Sequence, residues 1–371
     1  MAKTILVCSN YAWTLVNFRL SLLRALAADG YQVHVLTQFD GTENRLREIG
    51  MELHDLYIDR KGINPWRDTV TFFHILHLLK TLRPMGMMNF TIKPVIYGGL
   101  AARVLGIPYI STITGLGTAF INDTWLTRMV EVLYRVSQRR VRHVFFQNPD
   151  DRALFLRRRL VPESVTAVLP GSGVDLAWFE ASPLLNRHET VFLLMARLLW
   201  DKGVGEYVEA ARQVKARHSQ ARFQLLGFLG SENRTAISRE TVEGWVAEGV
   251  VEYLGETDDV RPFIAAAHCV VLPSFYREGV PRSLLEAAAM GRPVITTDSV
   301  GCREAVEDGV NGYLCQVKDA GDLAEKMERF LALPLDVLVN MGRKGREKME
   351  REFDERIVID RYLAVIGEIL N

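Results

Sequence analysis

The chain carries 371 residues, 48% of them hydrophobic and 24% charged, and its 45 basic side chains are matched by 45 acidic ones. Such a composition excludes a disordered segment and a nucleic-acid coat, and the length exceeds one ordinary core, so two domains of about 150 to 200 residues are expected. Cys8, Cys269, Cys302 and Cys315 show no C-x-x-C spacing, which favours reduced thiols in a cytoplasmic protein over a disulfide or metal framework.

Strands and helices alternate from the start. Thr4-Ile-Leu-Val-Cys8 ends in Ser-Asn, without a basic leader or cleavage site, and reads as a first strand and not as a signal peptide. A helix over 16–29, a strand over 32–37, a helix over 44–49, a strand over 51–57 and a helix over 65–82 follow. Next come a strand over 85–89, a helix over 95–105, a strand over 109–113, a helix over 125–139 and a strand over 143–147. This alternation predicts a doubly wound parallel sheet. After the turn residues Gly171 to Asp175 a second series runs through strands at 191–195, 223–226, 250–254 and 269–272, with helices at 205–217, 240–248 and 260–266 between them. The fold class is therefore α/β: two Rossmann-like domains, 1–170 and 171–352, facing across a cleft. A last helix over 353–371 carries apolar residues at Ile357, Val358, Tyr362, Val365, Ile366 and Ile369. No run approaches the roughly 20 apolar residues of a spanning helix.

The most informative stretch is Glu278-Gly-Val-Pro-Arg-Ser-Leu-Leu-Glu286. Pro281 suits the first turn of a helix, where its missing N–H costs nothing, and Ser283 with the helix-start amides can receive an anion. Glu278 then lies on the preceding loop and Glu286 in the second turn. A carboxylate accepts two sugar hydroxyls, so the pair could grip a hexose and a ribose at opposite ends of a diphosphate. The plain alternative makes Glu278 a helix cap and Glu286 a solvated residue. The context favours the first: a buried strand ending in Pro273-Ser274 precedes the pair, and Leu284 to Met290, Gly291 and a strand from Pro293 follow it. Ligands of open α/β sheets bind at the carboxyl ends of such strands.

These residues resemble the donor motif of family 4 of the retaining glycosyltransferases, which adopt the two-domain GT-B fold. Met195-Ala-Arg-Leu-Leu-Trp-Asp-Lys-Gly203 is similar to the family's strand and loop, whose Arg and Lys neutralise the donor diphosphate. Leu169 to Asp175 resembles the hinge, and Thr297 to Leu314 the last loop and strand of the donor domain. The resemblance implies Glu278, Arg197 and Lys202 as catalytic residues, with Glu286, Gly279, Val280, Ser283 and Leu284 binding the donor. It also implies that the last helix crosses back onto the N-terminal domain. No D-x-D dyad or histidine cluster calls for a metal, and no cofactor is expected.

On the acceptor side, Asn89-Phe-Thr-Ile-Lys-Pro94 with Tyr97-Gly-Gly99, and Ile113 to Phe120, end two successive strands. With Asn17-Phe-Arg19 they resemble the subgroup that adds amino sugars to polyprenyl-diphosphate-linked saccharides. Arg19 and Lys93 are candidates for the acceptor phosphate or, equally, for structural ion pairs, and Thr114 and Gly115 are weaker acceptor candidates. Two departures stand out. Ser9 to Val16 replaces the family's glycine-rich loop, and Thr114 stands where many members carry a histidine. His34, His54, His74, His77 and His143 read as core or surface residues, and no general base is assigned, because in a front-face transfer the donor phosphate takes the acceptor proton.

Nine arginines stand between 128 and 159 against three acids, and Trp125, Leu126, Met129, Val132, Leu133 and Val136 recur at helical spacing, as do Phe72, Phe73, Ile75, Leu76 and Leu79. Such helices either pack into a core or lie on an anionic membrane, here the inner face of the cytoplasmic membrane. No nucleic-acid motif accompanies the arginines. The expected function is transfer of a hexose or N-acetylhexosamine from a UDP-linked donor to a lipid-linked or other amphiphilic saccharide in glycan, O-antigen or capsule assembly. A sugar-nucleotide epimerase or hydrolase of the same architecture, and a non-catalytic sugar-nucleotide-binding subunit, are the alternatives.

Overall fold

In the computed structural model, residues 3–59, 64–116, 125–184, 189–230 and 233–370 are described. They divide into two units, Met1–Ser172 with Arg356–Asn371, and Gly173–Glu355.

The first unit is built on seven strands: β1 (Lys3–Tyr11), β2 (Tyr31–Gln38), β3 (Glu52–Asp55), β4 (Gly86–Phe90), β5 (Tyr109–Ile113), β6 (His143–Phe146) and β7 (Thr166–Val168). Their order is β3-β2-β1-β4-β5-β6-β7, every pairing parallel. Parallel strands need crossover helices on both faces, which explains why β4 and β5 are buried along their whole length, and β1 from Ile5 to Ser9, instead of alternating. Leu6, Met87 and Tyr109 pack on one face, and Val7, Met88 and Ile110 on the other.

The second unit repeats the plan with β8 (Thr190–Met195), β9 (Ala221–Leu226), β10 (Glu252–Tyr253), β11 (Cys269–Leu272), β12 (Val294–Thr297) and β13 (Gly312–Cys315), in the order β10-β9-β8-β11-β12-β13. The direction of strand succession reverses between β8 and β11, so the loops leaving these two strands meet at a topological switch point. All four cysteines are buried free thiols.

The structure refines several elements. The helix expected over 16–29 is two helices, Ala12–Phe18 and Leu20–Ala28, broken at Arg19 (φ −139°, ψ 5°). The helix expected over 95–105 opens as a π-turn, Pro94–Gly98, before Gly99–Leu105. The helix Pro149–Arg157 and β7 have no counterpart in the sequence reading. Pro281 is the N-cap of the helix Arg282–Ala289 and not a first-turn residue. The last helix, Glu355–Leu370, presents Val358, Tyr362 and Ile366 at a spacing of four to the first sheet. The Tyr362 ring packs against Phe145 and Phe90 at 4.7 and 6.0 Å, and its hydroxyl lies 2.8 Å from Thr112 Oγ1.

Candidate active site

The loop after β8 and the loop after β11 bring Lys202 and Glu278 together. Lys202 ends a short 3-10 turn, Trp200–Lys202, that stops at Gly203 in the left-handed conformation (φ +75°). Only glycine suits this corner, because a Cβ there would stand 2.0 Å from the Pro273 carbonyl oxygen on the neighbouring loop. Lys202 is 8% exposed, and its Nζ donates to Glu278 Oε1 at 2.5 Å while lying 5.5 Å from the Tyr276 ring centroid. The Asp201 carbonyl accepts the Phe275 and Tyr276 N–H groups, both at 3.0 Å, so the two loops are also joined through their backbones.

The other donor candidates occupy distinct surroundings. Arg197 is exposed and forms no ion pair among the described residues. Glu286 sits on the helix Arg282–Ala289 with 15% of its side chain exposed, and accepts from Arg282 Nε at 2.9 Å. Burial raises its pKa above the ordinary carboxylate value, and the Arg282 charge and hydrogen bond partly oppose the shift. Ser283 is half-buried, and no side chain caps this helix start. Gly279 and Val280 are buried, and Leu284 is a core side chain at 0% exposure, so a donor would meet only the backbone of Leu284.

In the first unit, Arg19 is 4% exposed, its guanidinium lying 5.0 Å from the Phe90 ring centroid and donating to the Phe18 carbonyl at 2.9 Å. Lys93 Nζ donates to Asp68 Oδ1 at 2.5 Å, and the Tyr97 hydroxyl donates to Asp68 Oδ2 at 2.9 Å. The buried Asp68 thus neutralises Lys93 and pins the π-turn to the helix Pro65–Leu82. Between β4 and Lys93, Thr91 adopts φ +70°, a costly conformation for a β-branched residue and one that concentrates at functional loops. Thr114 and Gly115 (φ +124°) are half-buried just past β5; Gly117 to Phe120 lie outside the described residues.

Sequence reasoning missed Ser274, Thr297, Asp68 and Arg282. The i, i+4 spacing of Arg282 and Glu286 was a readable signal. Ser274 stands four residues before Glu278, also within local reach, whereas Asp68 and Thr297 act across separations of 25 and 23 residues that no local pattern reveals.

Two family models divide the chain, glycosyl transferase 4-like over residues 4–148 and glycosyl transferases group 1 over residues 189–332. The protein belongs to this glycosyltransferase family. A relative from Campylobacter jejuni, N,N'-diacetylbacillosaminyl-diphospho-undecaprenol alpha-1,3-N-acetylgalactosaminyltransferase, is 29% identical, with 98% of each chain covered. Among solved structures, the sucrose-phosphate synthase of Thermosynechococcus elongatus superposes with a TM-score of 0.82 at 19% identity, covering 99% of each chain. Anabaena HepE in complex with UDP-glucose gives 0.78 at 16%, covering 98% of this chain and 99% of that one. These likenesses establish the GT-B fold, and the glycosyltransferase is a transferase made of two Rossmann-like halves.

Across the whole described part of this glycosyltransferase, no helix is long and apolar enough to cross a membrane.

Proposed function

We propose that the enzyme moves a hexose or N-acetylhexosamine, with retention, from a UDP-linked sugar to a polyprenyl-diphosphate-linked saccharide. The observation that carries this reading is the Lys202–Glu278 pair at the switch point of the second sheet, where a cation and a carboxylate stand side by side for a diphosphate and a sugar. Glu278 orients the transferred sugar, and Glu286 receives the ribose. Lys202, Arg197 and the start of the helix Arg282–Ala289 meet the charge that develops on the leaving diphosphate, with no metal taking part. The Campylobacter relative, by its name, acts on a lipid diphosphate, and HepE holds UDP-glucose, which supports the choice of substrates. Mass spectrometry of products from a panel of UDP-sugars with polyprenyl-diphosphate saccharides tests the reading, and activity should survive EDTA. An acceptor that gains one sugar mass supports it; free sugar alone indicates a hydrolase, and an isomerised nucleotide sugar an epimerase.

The raised pKa of Glu286 gives a pH signature with two opposite signs. A carboxyl whose folded pKa is raised stabilises the fold most when protonated, and that contribution is lost as pH rises through the shifted value. Ribose binding needs the ionised form, so donor affinity should rise over the same interval and be flat in Glu286→Gln. Calorimetric titration with the nucleotide diphosphate decides this: equal pH profiles for the two proteins would remove Glu286 from the ribose site.

We also propose peripheral contact with an anionic membrane on its cytoplasmic face. The helix Pro65–Leu82 exposes Trp66, Val70 and Phe73 at 83, 57 and 58%, while the helix Trp125–Ser137 exposes Trp125, Val132 and Val136. Ile75 and Leu79 are core, as are Thr127 and Tyr134 on the second helix, so each helix is divided between a packed and a bare face. Arg135 donates to the Arg158 and Arg159 carbonyls, Arg152 pairs with Glu163 and Arg158 with Glu131; of the remaining arginines, all exposed, Arg128 on the second helix and Arg139, Arg140 and Arg142 just past its end are the proposed lipid contacts. Changing these four to Gln should release the protein from anionic liposomes at low salt, each charge contributing about 1 kcal/mol. Equal co-sedimentation of wild type and variant would refute the docking face.

A further inference from the structure

We propose that Ser274 is a positioning residue that aims the Glu278 carboxylate, and that Thr297 and Ser299 hold Ser274 in place for that task. This role presupposes that Glu278 orients the transferred sugar, as proposed for the enzyme. A lysine alone cannot aim a carboxylate well, because its ammonium is a point charge on a flexible stem. A short hydroxyl on a rigid segment supplies the missing direction.

Ser274 is fully buried directly after β11 and Pro273. Its Oγ lies 3.3 Å from Glu278 Oε1 and 3.4 Å from the Asp201 carbonyl, and it accepts the Tyr276 N–H at 3.2 Å. A hydroxyl has one proton to give. The Asp201 carbonyl already accepts two N–H groups at 3.0 Å, whereas the carboxylate offers a charge-assisted bond, so the proton belongs to Glu278. Lys202 and Ser274 therefore converge on the same oxygen.

The backbone of Ser274 is fixed from the opposite side. Its carbonyl accepts from Thr297 Oγ1 and from Ser299 Oγ, the latter at 3.0 Å, and these two hydroxyls lie 2.9 Å apart. Gly301 (φ +82°) closes the arrangement: a Cβ there would stand 2.0 Å from the Gly279 carbonyl oxygen and 2.7 Å from that of Glu278. The end of β12 holds the peptide that presents the hydroxyl, and the loop that follows it packs closely on the peptide that carries the carboxylate.

The test is steady-state kinetics with donor and acceptor varied separately. Ser274→Ala should lower kcat about tenfold, the loss expected for one hydrogen bond to a charged group, while the donor KM changes by less than about twofold. In a Glu278→Ala background the same substitution should have no further effect. If Glu278→Ala itself keeps near wild-type kcat/KM, the site reading fails. If Glu278→Ala is impaired but Ser274→Ala is not, or if the two losses simply add, the positioning role is overturned. Should Ser274→Ala not fold, Thr297→Val and Thr297→Ser carry the comparison. Loss of kcat with Val and its recovery with Ser supports the brace, and equal kinetics of the two overturns it.

Discussion

Lys202→Met is expected to lower kcat/KM by about 10²- to 10³-fold, comparable to removing one oxyanion donor, with most of the loss in kcat. The physical reason is burial. At 8% exposure the ammonium acts in a medium that screens it weakly, so its attraction for a developing phosphate charge far exceeds that of a surface lysine. Part of the loss has another origin, because removing Lys202 also takes away the cation 2.5 Å from the Glu278 oxygen. The double variant Lys202→Met with Glu278→Ala separates the two: if the residues act as a unit, it will be little worse than either single variant. Arg197→Ala should cost less, since that side chain is exposed and its charge is screened. Lys202→Met within threefold of wild type would end the assignment of Lys202 to the leaving group.

The alternation of elements was readable because parallel strands covered on both faces must be short apolar runs between amphipathic helices. Val191 to Met195 and Cys269 to Leu272 are such runs, and both are strands. The turn at Arg19 was not readable: the apolar residues on either side continue at helical spacing, and the break is set by packing, with the guanidinium lying over Phe90. The π-turn at Pro94 was hidden for a similar reason, because one inserted residue in a buried segment leaves no gap in an apolar run. The helix Pro149–Arg157 did have a signal that was overlooked: Asn148 as N-cap, Pro149 in the first turn, and Asp150 and Asp151 at the helix start. In the site, the glutamate spacing and the Arg197–Lys202 loop could be read because each lies within one loop. The pairing of Lys202 with Glu278 joins residues 76 positions apart, and of Lys93 with Asp68 residues 25 apart, so only the strand order and the crossover helices bring them together.

Arg292→Met should destabilise the second unit by about 3 to 5 kcal/mol, the usual effect of breaking a buried charged network, and so lower its Tm by roughly 10 °C. Arg292 is fully buried, yet its hydrogen-bond acceptors are neutral: Ile264 O at 3.0 Å, Ala265 O at 2.9 Å, Met290 O at 3.1 Å, Ser182 O and Oγ at 2.7 and 2.8 Å, and Pro183 O at 3.0 Å. Three of these carbonyls lie at the carboxyl ends of the helices Arg261–Ala266 and Arg282–Ala289, where the carbonyl lone pairs and the negative ends of the helix dipoles favour a cation. One guanidinium therefore closes two helices and ties them to the segment at Ser182. Methionine fills much of the volume but removes all six hydrogen bonds, although Ile264 O and Met290 O each keep a backbone donor, from the Ala267 and Ser182 N–H groups. Lysine keeps the charge but offers three donors from one atom in place of a planar fork, so Arg292→Lys should recover only part of the loss. Burial lowers the Arg292 pKa to about 10, below its unfolded value, so pH dependence arises only above that range. Below it the side chain is protonated in both states, and the cost of Arg292→Met should be the same at pH 6 and pH 8. Chemical denaturation at the two pH values checks both statements: a cost below about 1 kcal/mol would show that the six acceptors find other donors.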